Sequence, residues 1–141
     1  MGDTFSKASI STDLAHRMIA AAEDKARELG VPMNIAVVDE SGVLKAFSRM
    51  DGAALLSVQI AQDKAYTAAG FGLSTDGWYD FIKDDAPLAL GATDGIDRLV
   101  VFGGGFPIKV GDAVVGAIGV SGGHYTQDMK VAEAGLAVLG G

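Results

Sequence analysis

Two glycine-rich stretches and a few charged side chains hold most of the chemistry this chain could perform. Gly103-Gly104-Gly105, followed by Phe106-Pro107, presents consecutive backbone N–H groups with no side chain in the way, and such concavities bind anions. The same triplet also suits a tight corner between strands. Ser121-Gly122-Gly123-His124 leads into a helical stretch, so its N–H groups and the helix dipole favour a negative ligand. His124 in that loop is a candidate general base, proton donor or metal ligand, or an exposed loop histidine. Lys64 falls among Ala61, Ala65 and Ala68, where an ammonium must snorkel to the rim or pair with an acid. Asp63, Asp51 and Asp39 are its candidate partners. The alternative role for Lys64 is a cationic anchor for a substrate carboxylate. Arg49, ahead of Met50-Asp51 at a strand end, either grips a carboxylate bidentately or pairs with Asp51 or another chain.

If these groups converge, Gly103, Gly104, Gly105, Ser121, Gly122, Gly123 and Asp51 form a ligand-binding rim. His124, Lys64, Asp63, Asp128 and Arg49 are then the catalytic candidates. A carboxylate or enolate would suit the N–H groups and a cation. His124 or Asp128 would move a proton, as in isomerisation, lyase chemistry or hydrolysis. Neither nucleotide-binding glycine pattern occurs. The two histidines, His16 and His124, do not have the spacing of a zinc hydrolase, so no metal site is expected.

The elements that must position these residues follow from periodicity. Residues 1–10 read as a loose arm, and 11–141 as one domain. Ser11-Thr12-Asp13 offers N-cap oxygens, and the apolar spacing predicts a helix over 12–29 that ends at Gly30 before Pro32. Residues 33–38 and 43–49 read as a hairpin around Asp39-Glu40-Ser41-Gly42. Ala53 to Gly70 is a helix of good helix formers with an alanine stripe. A short helix follows from Ser74-Thr75-Asp76 to about Lys83, burying Trp78, Phe81 and Ile82. Residues 84–97, with Pro87, Gly91 and Gly95, read as a long irregular loop of the functional or mobile kind. Strands are expected over 98–102, 106–110 and 113–121, with a hairpin at Gly111-Asp112, and a last helix over 126–139. Paired hairpins rather than strand–helix alternation give an α+β fold with a five-stranded antiparallel sheet flanked by helices.

The length of 141 residues fits one domain. Hydrophobic residues make up 49% and charged ones 21%, a globular composition. Acids outnumber bases 18 to 11, which argues against a nucleic-acid partner. The absence of cysteine excludes disulfides, thiolate metal sites and a cysteine nucleophile. No apolar run approaches the ~18 residues of a membrane span, and no secretory signal opens the chain, so a cytoplasmic protein with no membrane partner is expected. Met1-Gly2-Asp3-Thr4-Phe5-Ser6 matches a loose N-myristoylation pattern. With no polybasic stretch after it, the match reads as chance. Alanine-rich helix faces in a small domain leave apolar surface to hide, which points to a homo-oligomer, a dimer or higher.

Asn34-Ile35-Ala36-Val37-Val38-Asp39 with Gly42, then Phe47-Ser48-Arg49-Met50-Asp51-Gly52, resembles the opening of the GlcG/HbpS family. Ile60-Ala61-Gln62-Asp63-Lys64-Ala65-Tyr66-Thr67-Ala68, then Gly103-Gly104-Gly105-Phe106-Pro107-Ile108, continue the likeness. Gly116-Ala117-Ile118-Gly119-Val120-Ser121-Gly122-Gly123 and Gln127-Asp128 complete it. It runs in order from about residue 10 to 139. This DUF336-like family is also described as haem-degrading and is related to the C-terminal domain of PduO-type proteins. The resemblance implies a profilin-like fold, homo-oligomers, and haem binding or iron-releasing haem degradation in some members. Others sit beside catabolic enzymes for glycolate, diols or aromatic compounds. Haem iron takes an axial histidine, methionine, cysteine or tyrosine. His16 is the first haem-ligand candidate, on a helix where an oligomer would shelter a flat ligand. His124 is the second, followed by Tyr125 and Met50. Three functions therefore stand as expectations: a haem-binding or haem-degrading protein, a small-molecule enzyme, and a non-catalytic accessory module.

Overall fold

A computed structural model describes residues 2–140. Met1, where the myristoylation pattern begins, and Gly141 lie outside the described residues. The first helix, α1 (Thr12–Leu29), starts where the Ser11 hydroxyl accepts the Leu14 N–H at 3.1 Å. It stops at Gly30, whose φ of 73° lets its N–H turn back to the Ala26 and Arg27 carbonyls. Strands β1 (Asn34–Asp39) and β2 (Leu44–Arg49) form the expected hairpin. In its turn, Asp39 Oδ1 accepts the Ser41 and Val43 N–H groups at 2.8 and 3.1 Å. Helices α2 (Leu56–Phe71), α3 (Thr75–Ile82) and α4 (Ala86–Gly95) come next, then the hairpin β3 (Gly105–Val110) and β4 (Ala113–Ser121), and finally α5 (Tyr125–Leu136).

The four strands make one antiparallel sheet in the order β2-β1-β4-β3. Alternation of side chains divides its two faces. Ile35, Val37, Ile118 and Val120 pack against Met18, Ile19, Ala22 and Ala26 of α1 and Val131 and Ala132 of α5. Ala36, Val38 and Ala117 pack against Ala61, Ala65 and Ala68 of α2. The first face carries large side chains and the second small ones, so α2 lies close on the sheet. Gly119 sets that distance: a Cβ there would stand 2.1 Å from the Ala61 carbonyl oxygen and 2.5 Å from the Ala65 nitrogen. The segment before α1 is tied at two points. Ile10 is buried and donates its N–H to the Val115 carbonyl at 3.0 Å, and Lys7 pairs with Glu40 at 3.2 Å.

Two expectations for the middle of the chain are corrected. Residues 84–97 are not an irregular loop but largely the helix α4. Asp85 caps it by accepting the Leu88 N–H at 3.2 Å, and Pro87 sits in its first turn, where its missing N–H leaves no bond unmade. The expected strand at 98–102 does not form, so the sheet has four strands rather than five. Arg98 has a φ of 64°, outside the extended region. Thr67 of α2 takes over the backbone bonding there. Its hydroxyl donates to the Arg98 carbonyl at 3.0 Å and accepts the Val100 N–H at 3.1 Å. The segment is strapped to a helix by a side chain instead of joining a ladder.

The close seating of α2 predicts the cost of one added methyl group. Gly119→Ala should lower unfolding free energy by about 1–3 kcal/mol or more, the usual range for overpacking, measured by urea denaturation. An unchanged midpoint would show that the helix is free to lift.

Candidate functional site

Lys64 lies on the sheet-facing side of α2 and is wholly buried. Its Nζ donates to the Val120 carbonyl at 2.8 Å and to Asp128 Oδ2 at 3.0 Å. It also sits 5.0 Å from the centre of the Phe102 ring. Two oxygens and an aromatic face thus surround the ammonium. Asp128, only 3% exposed, reaches in from the first turn of α5, and its Oδ1 accepts the Gly123 N–H at 3.0 Å. Burial pulls the Lys64 ammonium below its ordinary value and pushes the Asp128 carboxyl above its own. The attraction between the two, and for Asp128 the N–H groups of Gly122 and Gly123, works the other way. The partner is therefore Asp128 and not the expected Asp63, Asp51 or Asp39.

The glycine triplet wraps this pair. Gly104 has a φ of 131°, and a Cβ on it would lie 2.6 Å from both Lys64 Nζ and the Val120 carbonyl oxygen. Its own carbonyl accepts the Val120 N–H at 2.9 Å. Gly105 donates its N–H to the Thr75 hydroxyl at 2.9 Å. The two glycine-rich stretches thus lie on either side of the buried pair, with the Gly105 and Gly123 N–H groups taken up by Thr75 and Asp128. At the entry to α5, Gly123 donates to Asp128. His124 donates its backbone N–H to Gln127 Oε1 at 3.1 Å, and Thr126 donates its N–H to His124 Nδ1 at 3.3 Å. The helix is capped by its own side chains.

The remaining candidates disperse. Asp63 accepts Arg98 Nε at 2.8 Å and Gln59 Nε2 at 2.9 Å, turned away from Lys64. Arg49 and Asp51 line a different cleft of about 350 Å³ with Glu23, Arg27 and Met50. Arg49 also reaches the Ala53 carbonyl at 3.4 Å. Ser121 is buried, at the end of β4. His124 is exposed, its ring 4.4 Å from that of Tyr125 and its Nδ1 already engaged, which leaves Nε2 outward. His16 is exposed on α1, and no hydrogen bond among the described residues engages its ring.

Beside the glycine triplet lies a cleft of about 490 Å³ lined by Asp76, Tyr79 and Asp80 of α3, by Val101, Phe102 and Gly103, and by Tyr125 of α5. Asp76, Tyr79, Asp80 and Phe102 were not among the residues expected from sequence. The signal was available for three of them. Asp76, Tyr79 and Asp80 fall at i, i+3 and i+4 and so share one face of α3, opposite the face that buries Trp78 and Ile82.

Comparison with known proteins places these features in a family. Residues 10–137 match the family model described as haem degrading protein HbpS-like. A Citrobacter freundii protein, described as an uncharacterized 15.0 kDa protein in the dhaT-dhaS intergenic region, is 39% identical over 129 residues. The alignment covers 92% of this chain and 91% of that protein. The crystal structure of a PduOC:heme complex superimposes with a TM-score of 0.86 at 30% identity, covering 94% of this chain and 96% of that one. A double mutant of Streptomyces reticuli HbpS superimposes with a TM-score of 0.89 at 30% identity, over 100% of this chain and 94% of that one.

The buried pair predicts strong coupling. Lys64→Met should destabilise the fold by about 3–5 kcal/mol, because it strands a buried carboxylate. Lys64→Met combined with Asp128→Leu should cost less than the two single changes added together. Urea unfolding of the four proteins tests this. Additivity within about 0.5 kcal/mol would mean the two groups do not depend on each other.

Proposed function

This chain belongs to the HbpS-like family, and on that premise we propose that it binds haem through His16, with a second copy of the chain closing the site. The likeness to a chain crystallised with haem supports the ligand. The observation that carries the residue is the state of its imidazole, which is exposed on α1 with no internal hydrogen bond to break. An unprotonated imidazole is among the commonest axial ligands of haem iron. His124 also has a free Nε2, but the cleft beside it is lined by Asp76 and Asp80, and carboxylates repel the propionates of haem.

The donor set on α1 fits the group. Ala20 follows His16 by one turn and is exposed, so a flat ring meets no large side chain there, and Arg17 stands next to His16 as a cation for a propionate. His16 lines none of the clefts described above. One copy therefore offers a ligand and one flat wall, and a neighbouring copy supplies the other wall. Bound haem would supply a redox-active iron, while the chain's own part is to hold and shield it. Lys64 and Asp128, sealed inside the fold, keep the sheet and the two helices in place behind this surface.

Titration of the purified protein with hemin should give a saturable Soret shift, and His16→Ala should abolish it while His124→Ala keeps it. A spectrum equal to that of free hemin at every ratio would end the haem reading. A shift unchanged in His16→Ala would move the ligand elsewhere.

A further inference from the structure

The aromatic cleft on the α3 side of the molecule has a chemistry of its own. Its volume of about 490 Å³ lies in the range of small-molecule pockets. Tyr79, Phe102 and Tyr125 line it, and they are 55%, 47% and 47% exposed. Three large aromatic side chains are held half open at one place. The face of an aromatic ring carries negative potential and attracts cations.

The charges around the rings have the same sign. Asp76 and Asp80 line the cleft, and no basic side chain does. They stand four residues apart on α3, a spacing at which like charges repel each other. Among the described residues, Asp76 Oδ1 is buried with no hydrogen-bond partner, and Asp80 meets only Lys83, at 3.4 Å on the surface. Lys64, the cation behind Phe102, is neutralised by Asp128. The net charge of −7 over the whole chain further raises the local concentration of cations.

We propose that this cleft is a binding site for a protonated alkylamine, its ammonium between the Asp76 and Asp80 carboxylates and its alkyl chain against Tyr79, Phe102 and Tyr125. Such a ligand relieves the repulsion between the two acids and covers the exposed rings. No single neutral or anionic ligand does both. The site is separate from the haem surface on α1 and does not depend on it.

n-Butylammonium is a suitable probe, with n-butanol as its neutral counterpart of equal length. In a proton–nitrogen correlation titration of the full chain, n-butylammonium should shift the Tyr79, Gly103 and Tyr125 amides saturably. It should bind about tenfold or more tighter than n-butanol. Asp76→Asn should reduce n-butylammonium affinity to near that of the alcohol. Asp80→Asn, on the exposed side of the helix, should weaken it as well, and it guards against a folding defect in the first variant. Added salt should weaken the amine and not the alcohol. Equal affinity for amine and alcohol would overturn the proposal, as would the absence of saturable shifts or unaltered amine binding in both variants.

Discussion

One buried ammonium holds the layers of this molecule in register. Lys64 comes from α2 on one face of the sheet and Asp128 from α5 on the other. Their bond passes around the end of β4, where the Val120 carbonyl joins it. Removing two charges from water is costly, and such a pair adds little to net stability compared with apolar groups of the same shape. What it contributes is position. The ammonium must find a carboxylate and a carbonyl together, and only one seating of α2, β4 and α5 provides both. The glycines follow from this. Gly104 has to leave room for Nζ, and Gly119 has to let α2 come near enough for Lys64 to reach. A side chain at either position would hold the parts too far apart for the pair to form.

Most of the fold could be read from the sequence, because its signals are local. Ser11 and Gly30 bracket α1, and Asp39 with Gly42 shapes the first hairpin. The failures share a cause. Residues 98–102 are apolar and of strand length, yet a threonine on α2 takes their backbone bonds. That competition is between segments distant in sequence and leaves no trace in periodicity. The helix α4 was hidden by the opposite error. Pro87 and two glycines are poor helix residues in the abstract, but proline in a first turn does no harm, and glycine in an exposed helix costs only about 1 kcal/mol.

The candidate site was legible in its parts and not in its pairing. Lys64 stood out as a charge on an alanine stripe, and the two glycine loops stood out as open backbone. That they enclose one another needs the whole sheet, because Lys64 and Asp128 are 64 residues apart. The misread helix entry has a local cause instead. Free N–H groups are the default at a helix N-terminus, but Asp128, Gln127 and His124 turn back on their own backbone and consume them. Local sequence shows the donors and the acceptors without showing that they choose one another.

The inward use of basic charge decides what the surface can recognise. Lys64 is spent on Asp128, and Arg98 lies against Asp63 and over the Tyr66 ring at 4.0 Å. The cations nearest the middle of the fold are thereby removed from any ligand that approaches from α3, where an exposed pair of Asp80 with Lys83 at 3.4 Å is the balance left to the two acids of the cleft. On α1 the balance differs, since Arg17 and Arg27 stand among Asp13 and Asp24 in exposed pairs. Such pairs are weak, so an incoming anion can draw an arginine away at little cost. A single small domain thus presents one surface whose arginines can be recruited and another whose cleft is lined by acids and rings without a basic side chain. The sorting follows from where the buried clasp placed its lysine.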